Sequence, residues 1–242
     1  LTHGSIEEDA RMGADISIAS ADQRGSFAAY CAEPAARPKA AIVVIQEIFG
    51  VNAGIRSKCD AWAAAGYLAL APDLFWRLEP GIVLDPDVPE QMQRALGLMG
   101  RFDQKLGVAD IDATIRAARA RVGDGKVGVV GFCLGGRLAF MTALETSVDA
   151  SVCYYGVGIE GLLGGAARLS HPVLLHIPTA DHFVPPAAQQ AIHAGLDGHP
   201  LVTLHDYAGL DHGFAAQGGR RRNEQGARLA DGRTAEFFAR HL

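Results

Sequence analysis

Cysteine is scarce in this chain: four residues among 242, Cys31, Cys59, Cys133 and Cys153, with no C-x-x-C pair. That spacing excludes a disulfide scaffold and a zinc site built on paired cysteines, and it fits reduced thiols, so a cytoplasmic protein is expected. Charge of one sign is not in large excess either. With 22 basic and 27 acidic residues the net charge is −5, which offers no footprint for nucleic acid or an anionic membrane. No apolar run reaches the roughly 18 residues of a membrane span, and residues 1–30 lack the basic start and apolar core of a secretory leader. Neither the G-x-x-x-x-G-K-[ST] phosphate loop nor the G-x-G-x-x-G dinucleotide fingerprint occurs, so no cofactor and no metal are expected. Internal repeats, low-complexity tracts and interdomain linkers are lacking as well. A single domain over 1–242 is therefore expected, with 1–12 a disordered tail. What these absences leave is a small-molecule partner for a monomer or small homo-oligomer.

What is present is alternation. DISIAS and SFAAYCAEP, separated by ADQRG, predict a short antiparallel hairpin at the N-terminus. After it come the apolar runs AAIVVIQ, YLALA, KVGVVGF, ASVCYYG, VLLHIP and LVTLHDY, which predict strands buried on both faces. Helical stretches around 54–65, 103–121, 136–146, 186–196 and 224–240 lie between or after them. Strand and helix in turn imply an α/β fold, a mostly parallel central sheet flanked by helices on both faces. The proline- and acid-rich stretch 77–90 follows a strand and fits neither period, so it is expected to wall a pocket.

The stretch GFCLGG, residues 131–136, sits where a strand turns into a helix. A nucleophile elbow needs small residues on both sides of the reactive one, because its backbone is strained and the helix packs closely on the strand. Gly131, Gly135 and Gly136 meet that need around Cys133. The start of the helix adds partial positive charge and free N–H groups, which favour a thiolate and an oxyanion. Cys31, Cys59 and Cys153 have apolar neighbours and no such turn, and are expected in the core.

In an α/β-hydrolase fold the acid and the base follow the nucleophile in that order, each on a loop after a later strand. TADHFVPP supplies Asp181 after VLLHIP, and AGLDHGF supplies His212 after the last predicted strand. His182 and Asp211 adjoin these two and are the decoys, since neighbouring side chains diverge.

Taken together, GKVGVVGFCLGG, QEIFGVN, YYGVGIE, DHFVP and HGFA resemble the dienelactone hydrolases, the carboxymethylenebutenolidases of aromatic degradation, over about residues 15–240. The resemblance implies an α/β-hydrolase fold with a Cys133–His212–Asp181 triad and hydrolysis of a lactone or small ester. It also implies that Glu47, in QEIFGVN, interacts with the resting thiol and takes part in its activation. The backbone N–H groups of Leu134 and Ile48 are the expected oxyanion hole.

The family's arginine four residues past the catalytic histidine, which helps hold the substrate's carboxylate, is Ala216 here, and a second family arginine falls near Met92. Arg77 and Arg94 are the candidate replacements, with Trp76 and Tyr154 expected against the substrate. The run Arg220, Arg221, Arg222 reads as a solvated basic turn, with replacement of the missing arginine from the loop after His212 as the alternative. Met92, Leu96 and Met99, at i, i+4 and i+7, read as a helix face packed on the core, with lining of the pocket by part of it as the alternative. Two rival readings are a peroxide-reactive thiol protein on the same fold and a noncatalytic binding module.

Overall fold

A computed structural model describes residues 13–123 and 125–242; the tail expected over 1–12 lies outside the described residues. The hairpin forms as predicted. Strands β1 (Gly13–Ala19) and β2 (Ser26–Ala32) pair antiparallel, with Gly13 opposite Ala32 and Ala19 opposite Ser26. Strands β3 (Ala41–Ile45), β4 (Leu68–Pro72), β5 (Val127–Phe132), β6 (Ala150–Tyr154) and β7 (Val173–Pro178) are buried at every position. Runs such as AIVVI have no polar face to show to water, so they must be covered on both sides.

With β8 (Val202–Tyr207) the eight strands form one sheet in the order β1-β2-β4-β3-β5-β6-β7-β8, and β3 to β8 run parallel. β8 departs from expectation: only Tyr207 is buried in it. It is the edge strand, so Thr203, His205 and Asp206 keep contact with solvent, whereas an interior strand would have to bury them.

Helices α1 (Ala53–Ala64) and α6 (Glu224–His241) cover one face through Ile55, Cys59, Ala63, Ala227, Ala230 and Phe238. The other face carries α3 (Gln104–Arg121), α4 (Leu134–Glu145) and α5 (Pro186–Leu196), packed through residues such as Ile111, Leu138 and Ile192. Asn52, Asp103 and Asn223 cap α1, α3 and α6 with side-chain oxygens that accept first-turn N–H groups. Helix α2 (Pro89–Arg101) starts with Pro89 in its first turn, where a missing N–H costs nothing, and buries only Ala95 and Leu98 in the core, with Met92 packed against it.

The register at the sheet centre positions the chemistry. Ile45 at the end of β3 pairs with Gly131 of β5, so Glu47 and Cys133 each lie two residues beyond this pair on adjacent strands. From β3 the sheet extends one way through β4 and the other way through β5, the switch point where open α/β sheets bind ligands.

Candidate active site

Cys133 lies between β5 and α4 with φ 55° and ψ −115°, a conformation that a side chain strains to adopt. The flanking glycines make the turn possible. A Cβ on Gly131 would sit 1.9 Å from the carbonyl oxygen of Gly135. One on Gly135 would lie 2.5 Å from the carbonyl oxygens of both Ile45 and Gln46, and one on Gly136 would lie 2.5 Å from that of Tyr154. Backbone thus packs on backbone, and α4 begins directly over the ends of β3 and β6.

The half-buried thiol is not the ready thiolate that the helix start alone suggests. Burial pushes its pKa up, and the neighbouring Glu47 carboxylate pushes it further. The polarity of the Leu134 N–H beside the sulfur pulls the other way, and it is outweighed. Glu47 is subject to the same medium: burial raises its carboxyl pKa, opposed by the charges of His212, Lys58 and Arg221.

On the far side of the thiol, His212 Nδ1 donates to Asp181 Oδ2 at 2.8 Å, and both residues are buried. The other Asp181 oxygen accepts the N–H groups of Phe183 and Val184 at 2.8 and 3.1 Å, which fixes the carboxylate in its loop. His212 Nε2 is buried without a hydrogen-bond partner. Tyr155 and Phe183 bracket the imidazole, with ring centroids 4.9 and 4.8 Å away. The decoys form a pair of their own. His182 Nδ1 lies 2.7 Å from Asp211 Oδ1, an exposed contact whose carboxylate oxygen also accepts the backbone N–H of His212 at 2.6 Å. It ties the loop after β7 to the loop after β8.

Cys133, His212, Glu47, Ile48 and Leu134 all line one cavity of about 470 Å³. A strained thiol at an elbow, an Asp-anchored imidazole with a free nitrogen, and two backbone segments at adjacent strand ends form a constellation fit for acyl transfer.

Known proteins resemble this chain in sequence and in fold. The model of the dienelactone hydrolase family matches residues 27–242. A carboxymethylenebutenolidase of Pseudomonas putida is 42% identical over 225 residues, covering 93% of this chain and 95% of its own. The chain belongs to the dienelactone hydrolase family. Another carboxymethylenebutenolidase, from Pseudomonas sp. strain P51, is 40% identical over 89% of this chain and 91% of its own. Among solved structures, a dienelactone hydrolase-like phosphotriesterase from metagenomic libraries superposes with a TM-score of 0.74 at 18% identity, covering 95% of this chain and 99% of its own, a likeness of fold. The chain is accordingly a hydrolase of the dienelactone hydrolase type, on the α/β-hydrolase fold.

Within this dienelactone hydrolase frame, four expected substrate contacts lie outside the cavity. Arg77 is ion-paired with buried Asp110 and, at 3.1 Å, with Asp22, while Trp76 donates its Nε1–H to the same Asp110 at 2.9 Å and stacks on Phe27. A buried carboxylate needs such partners, and it draws both side chains away from the thiol. Arg94 forms an exposed ion pair with Glu79. Tyr154 points beneath the sheet, its hydroxyl bonded to Asp231 and Thr234 at 2.8 and 2.7 Å. Its neighbour Tyr155 is the one that reaches the histidine, because successive residues face opposite ways at a strand end.

Other residues line the cavity where the sequence favoured a different placement. Met92, Leu96 and Met99 line it; Met92 also packs against the core, while Leu96 and Met99 are exposed. The apolar spacing was legible; the side it faces was not, since two apolar stripes on α2 compete and the core takes Ala95 and Leu98. Arg220 and Arg221 rim the same cavity, and Arg222 is bound to Glu224 and the carbonyl of Ala216. Arg137, one turn into α4, forms part of the wall.

Proposed function

We propose that this protein hydrolyses lactones and small esters, with carboxymethylenebutenolidase-type chemistry, through Cys133 as nucleophile, His212 as base and acid, and Asp181 as its anchor. The observation that carries the reading is the buried His212 Nε2 without a partner, held by the 2.8 Å contact of its other nitrogen to Asp181, at the cavity that also contains Cys133. A base needs one nitrogen fixed and the other free.

At rest the thiol keeps its proton, as burial and Glu47 favour. On substrate binding that proton passes to His212, with Glu47 assisting, and sulfur attacks the carbonyl carbon. The electron pair of the carbonyl moves to oxygen, where the N–H groups of Leu134 and Ile48 hold it. Collapse breaks the bond to the ring or ester oxygen, and the leaving alkoxide takes the proton from His212. Water then gives a proton to His212 and attacks the thioester; the acid product departs and the thiol is restored. A thiol whose pKa is pushed up is poorly suited to peroxide sensing, which argues against the redox rival.

The four free cysteines suit a reducing, cytoplasmic setting, and among the described residues no helix is long and apolar enough to cross a membrane. One sheet carrying all the proposed groups supports a single domain, acting as monomer or small homo-oligomer on a small molecule without nucleic acid. The test is turnover of a p-nitrophenyl ester and of dienelactone by wild type and by Cys133→Ala. Loss in the variant is expected, and undiminished turnover would sink the reading.

A further inference from the structure

The cavity that holds the thiol is walled by apolar side chains, Met92, Leu96, Met99 and Phe183, yet it also contains arginines. Two of them, Arg220 and Arg221, are exposed at the rim, where Arg221 lies over the Phe183 ring at 5.7 Å. The third is different. Arg137 is half-buried, and its backbone N–H bonds the carbonyl of Cys133 at 3.2 Å, so its side chain leaves α4 one turn after the nucleophile.

Its guanidinium is held by neutral groups. Nε donates to Gln104 Oε1 at 2.8 Å, and Nη1 donates to the carbonyl of Gly158. Gly158 has φ 83°, and a Cβ there would come within 2.5 Å of Nη1, so the glycine leaves room for the group. Nη2 has no hydrogen-bond partner and the cation no carboxylate among the described residues. Glu47 and Asp87 also line the cavity, and neither forms an ion pair or hydrogen bond with this guanidinium. A fixed cation facing an apolar cavity with a donor to spare is arranged to receive an anion from outside the protein.

We propose that Arg137 is a specificity-determining residue of this site: it binds a substrate carboxylate from α4, in place of the arginines the family carries at positions 92 and 216, and so favours anionic over neutral substrates. This rests on the hydrolase reading above. Loss of the family's arginines at those two positions alone would have predicted neutral substrates; Arg137 reverses that expectation.

The experiment compares kcat/KM for the p-nitrophenyl monoester of glutaric acid with that for p-nitrophenyl 5-methylhexanoate, its neutral counterpart in shape, after subtracting spontaneous hydrolysis. In Arg137→Met the ratio of anionic to neutral should fall roughly 10- to 100-fold, the loss expected for one charge-assisted hydrogen bond. Arg137→Lys, which keeps a cation, should retain more of the ratio. A ratio within about threefold of wild type would overturn the proposal whatever happens to the two absolute rates, because a purely structural role lowers both alike. A larger fall in Arg221→Met would move the grip to the rim and overturn it too. Should Arg137→Met not fold, wild type alone decides: pentanoate should inhibit neutral-ester turnover roughly tenfold better than pentanamide, and equal inhibition refutes the assignment. Failure of the hydrolase reading looks different, namely neutral-ester turnover that persists in Cys133→Ala.

Discussion

Replacing Cys133 by alanine and by glycine should reverse the usual order of stability of those two residues. Both variants remove the thiol, so they differ in what the backbone tolerates. At φ 55° and ψ −115° a residue with a Cβ is strained, by about 1–3 kcal/mol. Glycine escapes that strain but loses more chain entropy on folding, which costs roughly 0.5–1 kcal/mol relative to alanine. The strain is the larger quantity, so Cys133→Gly should be the more stable of the two by about 1 kcal/mol, or roughly 2–4 °C in Tm for a chain of this size. Urea unfolding followed by circular dichroism would measure the gap at equilibrium. A glycine variant less stable than the alanine one would refute the reasoning and mean that the elbow is relaxed.

Two further predictions concern pH. Glu47 has its pKa raised in the fold by burial, and for an acid that means stability is lost as pH rises from its ordinary value of 4.5 through the folded one. Glu47→Gln should therefore stabilise the protein over wild type by more at about pH 7.5 than at about pH 4, and a gap independent of pH in urea unfolding would contradict this. His176, buried and bonded to Tyr207 and Thr234 at 2.7 and 2.9 Å, has its pKa driven well below the ordinary 6.5 by burial. The unfolded chain then binds a proton that the fold does not, so stability is full above about pH 6.5 and falls below it, by up to roughly 1.4 kcal/mol per pH unit. Comparing wild type with His176→Gln should show the shallower acid slope in the variant, and parallel slopes would exclude His176 as a source.

The parts of the site that were legible in the sequence are those where local backbone geometry dictates residue type. An elbow where a Cβ on any of the three glycines would come within 2.5 Å of a backbone oxygen cannot be built otherwise, so GFCLGG announces Cys133. Asp181 and His212 were found from chain order, because each closes a parallel strand that apolar runs made visible. Glu47 needed the family resemblance, although the pairing of Ile45 with Gly131 places it level with Cys133 on the next strand; register between strands distant in sequence is not written in either. Substrate contacts were misjudged where a buried charge intervened. Nothing near Arg77 or Trp76 in the sequence reveals that Asp110, on α3, would claim both. The same blindness hid Arg137, whose neighbours Gln104 and Gly158 come from separate elements.

Helix α2 has a consequence for how this enzyme can change over generations. Its thiol-facing side chains, Leu96 and Met99 among them, are exposed and contribute little to the core, whereas Ala95 and Leu98 on the other side anchor the helix. Substitutions at such exposed positions usually shift stability by less than about 0.5 kcal/mol. The reactive centre is locked into the scaffold by glycines that admit no replacement, but the wall opposite it is free to drift. Substrate range in this protein can therefore be rewritten from a single helix while the chemistry is inherited intact.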